Sequence, residues 1–280
     1  MSKVVTAAVV MQLVESGALT LDDAVGARLA AFVGTEMGDP AIAAITVRHL
    51  LSHTSGFGTY RSTFFGGDAG SCADAARIGM THGLEQPPGH TYHYSNMNYC
   101  LLGLLVEDVV GQPYETVAQD RLLGPLGIED MRMVGTFDPD PSEVEHPSTS
   151  GRVYMEALGA AGSWVATATD VVTIADSLEG SRPGWHPLSA DSMAMMRVPA
   201  PTVTPPAPGR DRWYGLGEIV FADGSWGHTG TVENTHAMFL VRPDGVTWAL
   251  LISGDHPGES DDIARVFDAA LAEAGIVLSG

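Results

Sequence analysis

Along residues 4–14, VVTAAVVMQLV, apolar side chains occupy nearly every face of a 3.6-residue period, and Gly17 follows as a stop. This pattern predicts a helix buried on most sides, with no capping residue ahead of it. A more amphipathic run follows through Leu29 and Phe32. Thr20, with Asp23 three residues on, resembles a capping box and predicts the start of that second helix. Thr46 is placed to cap a short helix in VRHLLSH, which leads into the loop SGFGTY. Past the turn at Pro87-Pro88-Gly89, the apolar stretch from Met97 to Val110 predicts a helix closed by Gly111, with Tyr94-Ser95-Asn96 at its mouth. Pro113 opens a further helix through Leu122. The proline- and glycine-rich stretch from Gly124 to about Gly151 reads as irregular covering loop. Thr169 is placed to cap DVVTIADSLEG, and Ser189 a shorter helix ending near Met196.

After the proline-dense linker PAPTVTPPAPG the period changes to that of strands: WYGLGEIVF, GSWGHTGT, HAMFLVR, a Pro-Asp-Gly turn, and VTWALLISGD. These segments predict an antiparallel meander, and IARVFDAALAEAG has the spacing of a helix that lies back on it. The expected class is α+β: an antiparallel sheet flanked by helices, beside a mostly helical subdomain. One domain is expected over residues 1–280. Its helical subdomain covers approximately 20–165, and its sheet subdomain approximately 200–280 plus the first helix.

A chain of 280 residues buries roughly 75% of its unfolded surface, enough for a large core. No apolar run approaches the ~20 residues of a bilayer-crossing helix, so no membrane span is expected. Fourteen basic against 34 acidic side chains give a net charge of −20, which repels phosphate backbones and speaks against nucleic acid as a partner. All the basic residues but Lys3 are arginine. Cys72 and Cys100 are too few for a disulfide framework and are expected as two buried thiols. His49 and His53 have the spacing of a zinc pair without the glutamate of HExxH, so packing and loop anchoring are expected, with no metal and no cofactor. Tyr60, Trp164 and Trp226 are expected in core or sheet packing more than in a pocket.

The segments SKVVTAAVVMQLVESGALTLDD, TVRHLLSHTSGF, PPGHTYHYSNMNYCLLGLLVEDVVGQPYE, AAGSWVATATDVV and WGHTGT, in this order, resemble the serine β-lactamase and penicillin-binding-protein superfamily. The likeness is strongest to its class C-like esterases and D-amino-acid peptidases. It implies an active site in the cleft between the helical subdomain and the sheet. Lys3 matches the lysine of the family's Ser-x-x-Lys, Tyr94 and Asn96 its Tyr-x-Asn, and His228-Thr229-Gly230 its Lys/His-Thr-Gly strand. The resemblance implies Tyr94 as general base, assisted by the Lys3 ammonium, and Asn96 as the group orienting the lysine or the substrate. His228 would donate toward Tyr94 or the substrate. Thr229 and Gly230 would line the substrate's path, and the backbone N–H of Thr231 would complete an oxyanion hole.

Counting back three from Lys3 reaches one residue before Met1. The resemblance therefore implies that Met1 is internal to the family's helix, and that the nucleophilic serine and several tens of residues with their strands lie ahead of it. Ser2 does not substitute, since helical neighbours point about 100° apart. The expected activity is hydrolysis of an ester, peptide or β-lactam bond in a small-molecule or peptide substrate through an acyl-enzyme, the 280-residue chain itself being inactive. The alternative is a non-catalytic homologue that uses the cleft for ligand binding or regulation. Residues 1–280 read as cytoplasmic, and an export signal would have its place upstream. The oligomeric state is left open.

Overall fold

The run that opens the chain forms α1 (Ser2–Glu15), and every side chain from Ser2 to Met11 is buried, so this helix is the axis of the molecule. The computed structural model describes residues 1–138, 140–144, 151–180, 183–200, 212–254 and 260–274.

Helix α2 (Gly26–Val33) starts five residues later than a Thr20 cap predicts. Thr20 does bond the Asp23 carboxylate through its N–H and its hydroxyl, but the pair closes a turn. Ala24 then bridges to Thr46, and Val25 N donates to Ile45 O. Backbone pairing with a neighbouring segment thus takes the residues that would have formed the first turn. Thr46 caps α3 (Val47–Leu51) in a reciprocal box with His49. After α4 (Arg61–Phe65) and α5 (Cys72–His82), helix α6 (Asn96–Val110) is capped by Ser95 and ended, as the sequence predicts, by Gly111 at φ +75°. Helix α7 (Tyr114–Ala118) widens into a single π turn over Gln119–Leu123.

Two expectations here need correction. The stretch from Gly124 onward is not wholly irregular, because β1 (Arg132–Met133) pairs antiparallel with β2 (Trp164–Val165) across α8 (Met155–Leu158). Cys72 and Cys100 are joined in a disulfide. Cys72 opens α5 and Cys100 lies in the second turn of α6; packing of the two helices brings their Cα atoms to 5.6 Å, a closeness that 28 residues of separation conceal. A third correction concerns α9 (Ala168–Ser177). Its cap is Thr167, not Thr169, because Thr167 and Asp170 satisfy one another's backbone N–H groups. Ser189 caps α10 (Ala190–Met196) as predicted.

Most of the proline-dense linker, residues 201–211, lies outside the described residues. WYGLGEIVF does not form one strand. It turns back on itself between β3 (Arg212–Tyr214) and β4 (Ile219–Phe221), where Gly215 N donates to Glu218 O and Gly217 sits at φ +99°. Then β5 (Trp226–Val232), β6 (Thr235–Val241) and β7 (Thr247–Ser253) complete a five-stranded antiparallel sheet in chain order, among the described residues. Helix α11 (Ser260–Glu273) lies back on it through Ile263 against Met238 and Trp248, with Phe267 stacked on Trp248 at 4.2 Å. One continuous core joins α1 and the helical side to Trp226, Phe239 and Val241 of the sheet. The α+β expectation holds.

Candidate active site

Three parts of the fold meet at the head of α1: the start of α6 with the loop at His53, the turn after α8, and strands β3 and β5. The first turn of α1 carries Lys3, only 4% exposed. Its Nζ donates to Asn96 Oδ1 at 2.9 Å and to Ala161 O at 2.7 Å, and lies 5.1 Å from the ring centre of Tyr94. Burial pushes the Lys3 ammonium down to about 7, so near neutrality a large share of it is free amine.

Asn96 is aimed by its position at the first residue of α6. The preceding Ser95 accepts from Met97 N and donates to Gly58 O, which fixes the helix start against the loop. His53 is the anchor of that loop. It is wholly buried at φ +57°, and its Nδ1 accepts from Ser95 N (3.2 Å) and from Asn98 Nδ2 (2.9 Å), which places its proton on Nε2. Its ring lies 4.3 Å from that of Tyr94. Burial and then Tyr92 push the Tyr94 phenol above its usual range, but the residue is 37% exposed and water moderates the shift. Among the described residues no hydrogen bond joins Lys3 Nζ to the Tyr94 hydroxyl.

His228, on β5, is 3% exposed. Its Nδ1 faces Thr229 O at 2.6 Å, an acceptor, so Nδ1 carries the proton; Nε2 then accepts from the Tyr214 hydroxyl at 3.0 Å. Burial, the Met1 amino group and Lys3 hold the ring well below its usual range, and it is neutral. Both nitrogens are therefore engaged away from Tyr94. Strand β4 pairs with β5 only at Gly227 and Trp226, so among the described residues the strand from His228 to Val232 has a neighbour on its β6 side alone. A Cβ at Gly230 would meet nothing within 4 Å. Thr229 is half-buried beside it, and the hydroxyl of exposed Thr231 bonds His236 Nδ1.

Ser2 faces the other way, accepting from Trp164 N and lining a small apolar pocket with Val5, Met131 and Phe239. Tyr60, Trp164 and Trp226 donate to Gly83 O, Tyr114 Oη and Glu179 Oε2 respectively, and serve packing. His49 Nδ1 is engaged in the α3 cap, and among the described residues no three His, Cys, Asp or Glu side chains cluster as metal ligands.

Sequence reasoning missed Ala161, whose carbonyl holds the lysine, and Tyr214, which bonds His228. The Gly-Leu-Gly after Tyr214 is the one local signal. A Cβ at Gly215 would lie 2.0 Å from Met196 O, and one at Gly217 2.3 Å from Ala7 Cβ. These close approaches seat the β3–β4 turn on the end of α10 and on α1, and deliver Tyr214 to the cleft.

A family model described as Beta-lactamase matches residues 1–273. Penicillin-binding protein 4 of Amycolatopsis lactamdurans is 31% identical over 288 aligned positions, spanning 90% of this chain and 70% of that protein. Among solved structures, a D-stereospecific amidohydrolase from Streptomyces sp. superposes with a TM-score of 0.75 at 27% identity, over 95% of this chain and 84% of that one. A penicillin binding protein from Bacillus halodurans, at 21% identity and a TM-score of 0.74, shares the fold over 96% and 83% of the two chains. The chain belongs to the beta-lactamase family.

Proposed function

We propose that this cleft serves a serine hydrolase working through an acyl-enzyme, with its nucleophilic hydroxyl on the residue just ahead of Met1. The observation that carries this reading is the convergence of Lys3 Nζ on Asn96 Oδ1 and the Tyr94 ring at the head of a buried helix. A side chain three residues before Lys3 would share its helical face.

In the first step the serine oxygen attacks the substrate carbonyl and its proton passes to the neutral amine of Lys3. A Tyr94 phenolate is the acceptor that the family resemblance implies, but burial works against it while it favours the amine. The developing oxyanion is met by the backbone N–H of Thr231 and that of the serine itself. Tyr94, beside the new ammonium, then protonates the leaving atom and regains its proton from Lys3. Water hydrolyses the acyl-enzyme by the reverse transfers. Likeness to a D-stereospecific amidohydrolase favours an amide, peptide or ester bond over a β-lactam.

The test compares the 280-residue chain with a form extended upstream in its own reading frame. Each is incubated with a nitrophenyl ester, a D-amino-acid amide and a fluorescent penicillin. The shorter chain is expected to take no covalent label and to turn over near background, and the longer one to show a burst and a labelled serine. A burst from the shorter chain overturns the placement of the nucleophile. Silence from both favours a non-catalytic, ligand-binding homologue.

A further inference from the structure

The β3–β4 turn places Tyr214 between β5, the loop at His53 and the segment leading into α6. Its hydroxyl is 3.0 Å from His228 Nε2, and its ring centre is 4.6 Å from that of His53, 5.9 Å from Tyr94 and 6.0 Å from Tyr92. It is 5% exposed, so water does not compete for the hydroxyl. We infer that Tyr214 is a positioning residue that holds the His228 imidazole in one neutral form, proton on Nδ1, so that β5 presents the substrate with neither an imidazolium nor a ring N–H. This goes beyond the role that the motif implies for His228, and it holds whether or not the acyl-enzyme reading does.

The hydrogen-bond inventory around the ring leaves one arrangement. Thr229 O accepts only, so the 2.6 Å contact requires the proton on Nδ1. A neutral imidazole then has a bare Nε2, and the Tyr214 hydroxyl is its one recorded partner among the described residues. The Tyr99 hydroxyl is also within hydrogen-bonding reach of the Tyr214 hydroxyl, as an acceptor, since its own proton goes to Leu51 O at 2.8 Å. Between the phenol oxygen of Tyr99 and the bare imidazole nitrogen, the nitrogen is the stronger acceptor for the Tyr214 proton. The charged groups facing the ring act in the same direction. Burial acts first against a second proton; Lys3 from α1 adds to it while charged, and the Met1 amino group and His53, both themselves pushed down by burial, would act the same way only when protonated. Tyr214 itself stays a phenol, because burial and the surrounding tyrosines raise it well above its usual range.

This arrangement is read out by ¹⁵N-histidine NMR of the 280-residue chain, with two-bond couplings that distinguish the two tautomers. His228 is identified by the signals lost in His228→Asn. The expected result is a protonated Nδ1, a bare Nε2, and no titration between about pH 5.5 and about pH 8. Tyr214→Phe removes the donor. With Nδ1 still donating to Thr229 O, His228 is then expected to titrate with a midpoint raised by about one pH unit or more into that window. Tyr92→Phe keeps the Tyr214 hydroxyl and is expected to leave the His228 signals unchanged. A wild-type His228 with its proton on Nε2, or one that titrates in the window, overturns the inference even if Tyr214→Phe does not fold. An unchanged spectrum in folded Tyr214→Phe overturns it too. Since no turnover is required, these outcomes are separate from the fate of the acyl-enzyme proposal.

Discussion

The ammonium of Lys3 and the side-chain oxygen of Asn96 lie 2.9 Å apart across 93 positions of sequence. The contact stabilises the charged amine, whereas burial opposes it more strongly and brings Lys3 down to about 7. In the upstream-extended form, kcat/KM on a neutral ester is therefore expected to rise with pH through a limb near 7, as the amine becomes free to take a proton. Lys3→Arg, which stays protonated, is expected to lose that limb and about 10²–10⁴-fold in kcat/KM. Rates from about pH 5 to about pH 9 check this, and a limb that survives in Lys3→Arg assigns it to another group.

A second pH dependence belongs to stability and has the opposite sign. Glu218 is 1% exposed, and burial, offset in part by Arg197, raises its carboxyl from 4.5 to about 7. Between those values the folded chain holds a proton that the unfolded chain has released, so this group's contribution falls as pH rises through that window. Lys3, lowered from 10.5 to about 7, is the reverse: its contribution rises with pH between those values. Arg197 bonds Glu218 and Leu178 O, approaches Glu179, and covers the Trp226 ring at 4.3 Å. Arg197→Met is expected to cost about 3 kcal/mol at pH 8, where Glu218 is ionised and left unpaired, and clearly less at pH 5. Urea unfolding at the two pH values decides; equal losses at both would remove Glu218 from the account.

The Cys72–Cys100 bond ties the start of α5 to α6, the helix whose first residue holds Lys3. Closing a loop of 28 residues restricts the unfolded chain, so reduction is expected to lower stability by about 2–4 kcal/mol. Thiol titration of denatured protein should find no reactive cysteine until a reductant is added. Two free thiols in protein prepared under oxidising conditions would contradict the pairing.

How far the sequence reached follows the range of each interaction. Thr46, Gly111 and Ser189 mark helix ends because a cap acts over three or four residues. Lys3, Tyr94, Asn96 and His228 are visible through short motifs whose order resembles a known family, and Lys3 Nζ bonds Asn96 Oδ1 and lies 5.1 Å from the Tyr94 ring centre. His228 was legible as a residue and not as a hydrogen-bonding state, because its partner Tyr214 comes from another strand. Ala161 acts through its carbonyl, which any residue possesses, so no side-chain pattern could have marked it. The cysteine pairing and the late start of α2 were hidden for the same reason: each depends on a neighbour brought in by tertiary packing. Thr167 is a different kind of miss. Its Thr-x-x-Asp pattern was local and readable beside Thr169.

Two glycines of the site separate placement from access. Gly217 has φ +99°, and a Cβ there would lie 2.3 Å from Ala7 Cβ and 3.3 Å from the Tyr99 hydroxyl. Both atoms sit in the packed core, so neither yields readily. Gly217→Ala is expected to destabilise by about 2–3 kcal/mol, through left-handed backbone strain and overpacking together. By lifting the β3–β4 turn from α1 it should also loosen the bond from Tyr214 to His228. Gly230, on the stretch of β5 that β4 does not cover, would present a Cβ to open space. Gly230→Ala is expected to change stability by no more than about 0.5 kcal/mol. In the upstream-extended form, however, the added methyl would stand where substrate approaches the strand, raising KM with little change in kcat for small esters. Chemical unfolding and steady-state kinetics of the two variants separate the effects. If Gly230→Ala binds every ester as the parent does, substrate does not run along β5.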